Sequence, residues 1–156
     1  MTGKTHIIGG LVACQAADLF LFSTTSGFSY YAAGVAGALL PDICHTHSKI
    51  GRRFSVLSKV VATLFGHRTF THSLLFLVAV NLVFLAFFPE HVAIQRGILI
   101  GMISHYFLDA LTVRGIRFFY PADVRVRLTR MRTGGVGETF LLVGLVVCIG
   151  YLFVAF

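Results

Sequence analysis

Seven histidines and six acids occur in 156 residues, few enough to place one at a time. His6 stands near the N-terminus, and Asp42 follows Pro41 with Cys44, His45 and His47 just behind. His67, Arg68 and His72 form a third group, and His105 with Asp109 a fourth. Imidazole nitrogen and carboxylate oxygen together are the donors that zinc and similar divalent ions take. His105 and Asp109 are spaced i,i+4, which puts both on one face of a helix. His67 and His72 are i,i+5 and diverge on a continuous helix, so His67 is expected in a loop, with Thr69 or Thr71 capping the helix that follows. His6, Asp42, His67, His72, His105 and Asp109 overfill one tetrahedral site. With water they suit two ions, an arrangement that serves phosphoester hydrolysis. His45, His47 and His91 taken singly read as amphipathic side chains at a water boundary, and Asp18, Glu90 and His91 fall away from the four groups.

The elements that must position these residues are membrane helices. The hydrophobic set makes up 56% of the chain and charged residues only 12%, against roughly 25% charged in an ordinary soluble domain. Mean hydropathy is +0.85. A chain of this size cannot hide that much apolar surface in its own core, which excludes disorder and a simple soluble enzyme. Five stretches approach the ~20 residues that cross a bilayer as helix: Thr5–Phe22, a shorter Gly27–Leu40, Thr71–Phe88, Val92–Thr112 and Thr139–Phe156. The expected fold is all-α, a polytopic bundle of about five transmembrane helices in one domain, 1–156, with long loops at 42–70 and 113–138.

In the first loop Phe54, Leu57, Val60, Val61, Leu64 and Phe65 recur at helical spacing, with Ser58 and Lys59 opposite. That pattern predicts an amphipathic helix, either lying in the membrane interface or packed on the bundle. Twelve of the 13 Lys and Arg lie before the first span or in the two long loops, and Arg96 is the exception. The positive-inside rule then places the N-terminus and both loops in the cytoplasm and the C-terminus outside. All four ligand groups thus fall at cytoplasmic helix ends. Cys14, Cys44 and Cys148 imply no disulfide framework. Leu11-Val12-Ala13-Cys14 looks like a lipoprotein box, but the apolar run before it is too short, and the segment reads as a retained helix. Gly97 and Gly101 extend the His105–Asp109 face as a small-residue seam, which pairs either protomers or, as preferred here, helices of one chain. Oligomeric state stays open.

Four blocks carry a resemblance: Leu40-Pro41-Asp42-Ile43, Ser48-Lys49-Ile50-Gly51-Arg52-Arg53, Gly66-His67-Arg68-Thr69-Phe70-Thr71-His72-Ser73 and Ser104-His105-Tyr106-Phe107-Leu108-Asp109. With the early His6, the chain resembles the YdjM-type family of bacterial and archaeal inner-membrane proteins over about residues 3–140. The Gly-His-Arg-x-x-Thr-His-Ser block is the specific part. The resemblance implies a membrane-bound, metal-dependent hydrolase, with some members under the SOS repressor LexA. Arg132-Thr133-Gly134-Gly135 and Glu138 match a Gly-rich stretch and acid that similar proteins carry. One position departs: Cys44 stands where the family pattern has a second Asp. A thiolate there favours zinc, or the change removes a ligand or base; hydrolase competence is the preferred expectation.

The expected mechanism places one or two divalent ions, zinc first with manganese or magnesium as alternatives, at the cytoplasmic membrane surface. Its ligands are His6, Asp42, His72, His105 and Asp109, with His67 as a further ligand or proton shuttle. Asp42 or Glu138 orients or deprotonates the attacking water, and Arg68 holds phosphoryl oxygens. The basic loops gather anionic headgroups, so the expected substrate is a phospholipid or other lipid-linked phosphate. A non-catalytic metal-binding scaffold is the alternative. A metal transporter is less favoured, because its ligands belong near the midplane. Nucleic acid is not an expected partner, since positive-inside topology already accounts for the Arg125–Arg132 cluster.

Overall fold

Proline, glycine and hydroxyl caps divide the described residues into seven α-helices. The structure, a computed structural model, describes residues 1–22, 27–65 and 69–155. Helix α1, Gly3–Ala17, runs on into a π-helical turn at Asp18–Phe22. Helix α2, Phe28–Leu39, gives way at Pro41 to a 3₁₀ turn, Leu40–Cys44. Short α3, Lys49–Arg53, starts where the Ser48 hydroxyl accepts from Gly51 N at 2.9 Å. Helix α4, Ser55–Phe65, follows, then a 3₁₀ turn, Phe70–His72. The Ser73 hydroxyl caps α5, Leu74–Phe87, by accepting from Phe76 N at 3.3 Å. Helix α6, Val92–Ala110, leads into an irregular segment, 111–135, and α7, Val136–Ala155, ends the described chain.

The axis of the molecule is the α2–α6 pair. A Cβ on Gly101 would fall on Gly34 O and 2.7 Å from Ala38 N; one on Gly37 would lie 2.7 Å from Ile98 Cα. The two backbones therefore touch, as small residues permit in lipid. Helix α1 packs on both, and α7 packs along α1. On the other side Met102, Tyr106, Ala110 and Ile116 form a core against Phe76, Leu77 and Val80 of α5. This seam is intrachain, as preferred for Gly97 and Gly101.

All five expected apolar helices are present, in order. Two of them, Gly3–Phe22 and Val136–Val154, are long and apolar enough to cross a membrane, by length and composition. Helix α6 has 19 residues but carries Gln95, Arg96, His105 and Asp109. Helices α2 and α5, with 12 and 14 residues, extend roughly 18 and 21 Å at 1.5 Å per residue, against a hydrocarbon core of about 30 Å. Two boundaries move in ways that matter. The third expected span begins three residues later, because the Ser73 cap leaves His72 in the preceding turn. The fifth begins earlier, which puts Glu138 in the first turn of α7.

The amphipathic helix of the first loop exists as α4, with its apolar stripe outward, as the interfacial alternative expects. Ser58 is fully buried, while Leu57, Val60 and Leu64 are about half exposed or more. The helix packs on the Leu40–Cys44 turn and leaves its apolar stripe outward.

Candidate metal centre

Three elements bring four ligand atoms together. Asp42 comes from the 3₁₀ turn that Pro41 starts after α2, and His72 from the 3₁₀ turn before α5. His105 and Asp109 come from the last two turns of α6. His72 Nε2 lies 3.1 Å from His105 Nε2 and 3.5 Å from Asp109 Oδ2. His105 Nε2 is 3.8 Å from Asp109 Oδ2, and Asp42 Oδ1 is 3.9 Å from both imidazole nitrogens. Each of the four residues offers a donor atom within 4.8 Å of the others. Ligands about 2.0–2.1 Å from zinc on a tetrahedron stand roughly 3.3 Å apart. The observed edges are those of a slightly expanded tetrahedron, so these residues fit a divalent ion.

The neighbours fix which ring nitrogen is offered. His105 Nδ1–H donates to Ala38 O at 2.7 Å, which leaves Nε2 as the lone-pair donor. The α2–α6 seam is what carries Ala38 to that place. His72 Nδ1 meets Thr71 Oγ1 at 3.1 Å and Cys44 Sγ at 4.0 Å, and Tyr106 OH donates to Thr71 O at 3.0 Å. Cys44 thus supports a ligand from behind and stands outside the four-residue group. Burial opposes charge on His72, but its contacts with Asp109 and Cys44 outweigh that and push the imidazole up to about 9. A pocket that holds a proton on a buried ring is one that favours a cation.

His6 of α1 borders this group of four. It is fully buried, and its ring stacks on His105 with centroids 3.8 Å apart. Neither ring nitrogen makes an aligned hydrogen bond, and Nε2 lies 3.4 Å from Asp109 Oδ1. Asp109 therefore turns one oxygen toward His72 and His105 and the other toward His6 and the Met1 amino group, which pairs with it. No side-chain pattern in a sequence announces a backbone amine of that kind.

Glu138 is placed elsewhere. Its carboxylate accepts from Thr2 N and Thr5 Oγ1, both at 2.6 Å, and from Gly134 N at 2.7 Å. It ties the start of α1 to the start of α7 and is not among the four grouped ligands. His67 and Arg68 lie outside the described residues. Asp18 sits beyond α1, where Tyr31 OH donates to it at 3.1 Å. His45 and His47 pair with each other, ring centroids 5.9 Å apart, apart from the ligand group. Asp42 alone of the four keeps an exposed edge, 14% of its side chain, while His72, His105 and Asp109 have none.

The chain is 49% identical over 157 residues to the uncharacterized protein YvsG of Bacillus subtilis (strain 168), covering 98% of this chain and 94% of that one. It is 39% identical over 100 residues to the inner membrane protein YdjM of Escherichia coli (strain K12), covering 62% of this chain and 51% of that protein, and equally to YdjM of Shigella flexneri. No solved structure matches. The family model described as YdjM inner membrane protein matches residues 1–156, His6 through Asp109 included. Over its whole length, this chain belongs to the YdjM inner membrane protein family.

Proposed function

We propose that this protein is a membrane-bound, metal-dependent hydrolase whose site lies at the cytoplasmic membrane surface and whose substrate is a phosphoester of a lipid or lipid-linked molecule. The observation that supports it is the group of Asp42, His72, His105 and Asp109, with donor atoms within 4.8 Å of one another. A divalent ion, zinc in the first place, would supply Lewis acidity there, lowering the pKa of water and polarising a phosphoryl oxygen. His72, His105 and Asp109 hold that ion from the buried side. Asp42, at the exposed edge, is placed to hold the ion and to take a proton from attacking water. His6 and the second oxygen of Asp109 offer a neighbouring position for a further ion.

In this reading α1, α2, α5, α6 and α7 all cross the bilayer, and the turns that carry Asp42 and His72 lie at its cytoplasmic face. The cation distribution puts the N-terminus and both basic loops inside and the C-terminus outside. The apolar stripe of α4 then lies in the cytoplasmic interface.

A second reading, a scaffold in which the ion only ties helix ends together, is favoured by the complete burial of His72, His105 and Asp109. Structural zinc sites are commonly closed by four protein ligands. Elemental analysis of purified protein, with a phosphoester panel assayed in the presence of Zn²⁺ or Mn²⁺, separates the two. Hydrolysis that disappears in His72→Ala and Asp109→Ala together with the metal supports the enzyme. Metal content and turnover untouched by both substitutions overturn the centre itself, and metal loss that unfolds a protein without turnover supports the scaffold.

A further inference from the structure

Asp42 opens into a cleft of about 410 Å³ whose walls include His45, Thr112, Arg114, Arg132 and Thr133. The two arginines are 18 positions apart, and backbone pairing brings them to one cleft. Leu128 N donates to Ala110 O at 2.8 Å, Val113 N to Met131 O at 3.0 Å and Met131 N to Leu111 O at 3.2 Å. Thr112 and Met131 pair in parallel register, which sets Arg114 and Arg132 just beyond the pairing on neighbouring strands of chain. The turn after Arg114 is made by Gly115 at φ +61, where a Cβ would stand 2.6 Å from Val126 O. The arginines are thus held on a braced segment, although their side chains are exposed.

Their charge is uncompensated. Among the described residues neither Arg114 nor Arg132 has an acidic partner, whereas Arg117 of the same segment pairs with Asp123 at 3.0 Å. Loaded with one divalent ion, the centre would carry no net negative charge: Asp42 and Asp109 would offset the ion, and the Met1 amino group paired with Asp109 adds a positive charge. An anion entering the cleft meets a metal and two guanidiniums with no net acidic field against it. Guanidinium forks match the paired oxygens of a phosphoryl group, and the volume suits a phosphorylated headgroup.

We infer that Arg114 and Arg132 form the anion-recognition site of this protein, holding the non-bridging oxygens of a phosphate ester over Asp42. This rests on the hydrolase reading and names its specificity-determining residues, in the role that the sequence assigned to Arg68. The ligand chemistry is a phosphate monoester or diester, whether on a lipid or on a soluble headgroup.

The test uses the full chain in phosphatidylcholine nanodiscs, loaded with Zn²⁺ and freed of excess ion. Inorganic phosphate and glycerol phosphate are titrated calorimetrically, and a parallel series adds phosphatidic acid to the discs, read by protection of arginines from phenylglyoxal. Arg114→Gln and Arg132→Gln are each expected to weaken binding about tenfold or more, with metal content unchanged. Arg125→Gln with Arg130→Gln, which removes the same charge outside the cleft, is expected to leave binding within about twofold. Protection by phosphatidic acid alone assigns the site to lipid, and binding of glycerol phosphate alone assigns it to a soluble ester; both support it. Wild-type affinity in the Arg114→Gln, Arg132→Gln pair, or equal loss in the control pair, overturns it. Metal content is measured on the same samples, so wild-type protein without metal sinks the hydrolase reading while the arginine dependence is still read.

Discussion

His6 lies flat on His105, their ring centroids 3.8 Å apart and their planes 13° from parallel. Both rings are fully buried, so the stack fixes the plane of each. His105 Nδ1–H is committed to Ala38 O. The stack therefore sets the nitrogen of His6 beside Asp109 without competing for the same hydrogen bond.

The first prediction separates packing from ligation at His6. His6→Phe keeps an aromatic ring on His105 and removes both nitrogens, while His6→Ala removes the ring as well. His6→Phe is expected to cost about 1–3 kcal/mol, the range for a somewhat larger ring in a fully buried site, and to lose at least half of the bound metal while the fold is kept. His6→Ala is expected to lose stability and metal together. Unchanged stoichiometry by elemental analysis in His6→Phe would assign the residue to packing and limit the centre to one ion.

Proton competition gives the second prediction. His72 is pushed up to about 9, so near neutrality the ring is mostly protonated, and an ion must displace that proton to reach Nε2. Affinity for Zn²⁺ is therefore expected to climb with pH through 6 to 8, by up to about tenfold per unit for each proton displaced, and to level off above about 9. Titrations in two buffers of different ionisation enthalpy should report about one proton released per ion. Flat affinity across that range contradicts the assignment of His72 as a ligand.

Much of this centre was legible because its ligands are rare. In a chain with 12% charged residues, a buried acid or imidazole needs a reason, and Asp42, His72, His105 and Asp109 stood out by type and by helix end alone. The i,i+4 spacing of His105 and Asp109 survives as a shared face of α6. Glu138 was harder to judge, since residue type does not reveal whether a carboxylate's partners are a substrate or three backbone and hydroxyl donors. For α4 the periodicity locates an apolar stripe but not what the stripe meets, and the structure turns that stripe outward, as the interfacial alternative expects. Arg114 and Arg132 have no site role in the sequence reading because positive-inside topology explains any loop arginine, and their meeting depends on pairing between Thr112 and Met131 that carries no sequence signature.

The third prediction concerns the seam that presents Ala38 to His105. A methyl on Gly101 would fall on the Gly34 carbonyl, so α2 and α6 would have to part. Gly101→Ala is expected to cost about 1–3 kcal/mol, the range for overpacking, and to lower metal affinity, because the Ala38 O to His105 Nδ1 contact moves with α2. Gly144→Ala in α7, where nothing lies within 4 Å of the added carbon, is expected to leave both unchanged. Thermal unfolding in detergent with metal titration reads the two effects, and equal behaviour of the two variants would show that the seam does not position the ligand.

The last prediction distinguishes anchoring from catalysis at Glu138. Three donors converge on its carboxylate: Thr2 N and Thr5 Oγ1 on Oε1, and Gly134 N on Oε2. Glu138→Gln turns one of the two acceptor atoms into a donor, and whichever way the amide lies it faces an N–H or loses two bonds. A buried group left unsatisfied costs about 1–3 kcal/mol, and the strain falls on the first turn of α1, which carries His6 and leads from Met1. Glu138→Gln is therefore expected to destabilise the fold and weaken metal binding, while turnover at saturating metal stays near wild type. A catalytic base would behave in the opposite way, with metal affinity and stability intact and turnover abolished at every metal concentration. The carboxylate already holds three donors from the starts of α1 and α7, and that is why anchoring is the expected result.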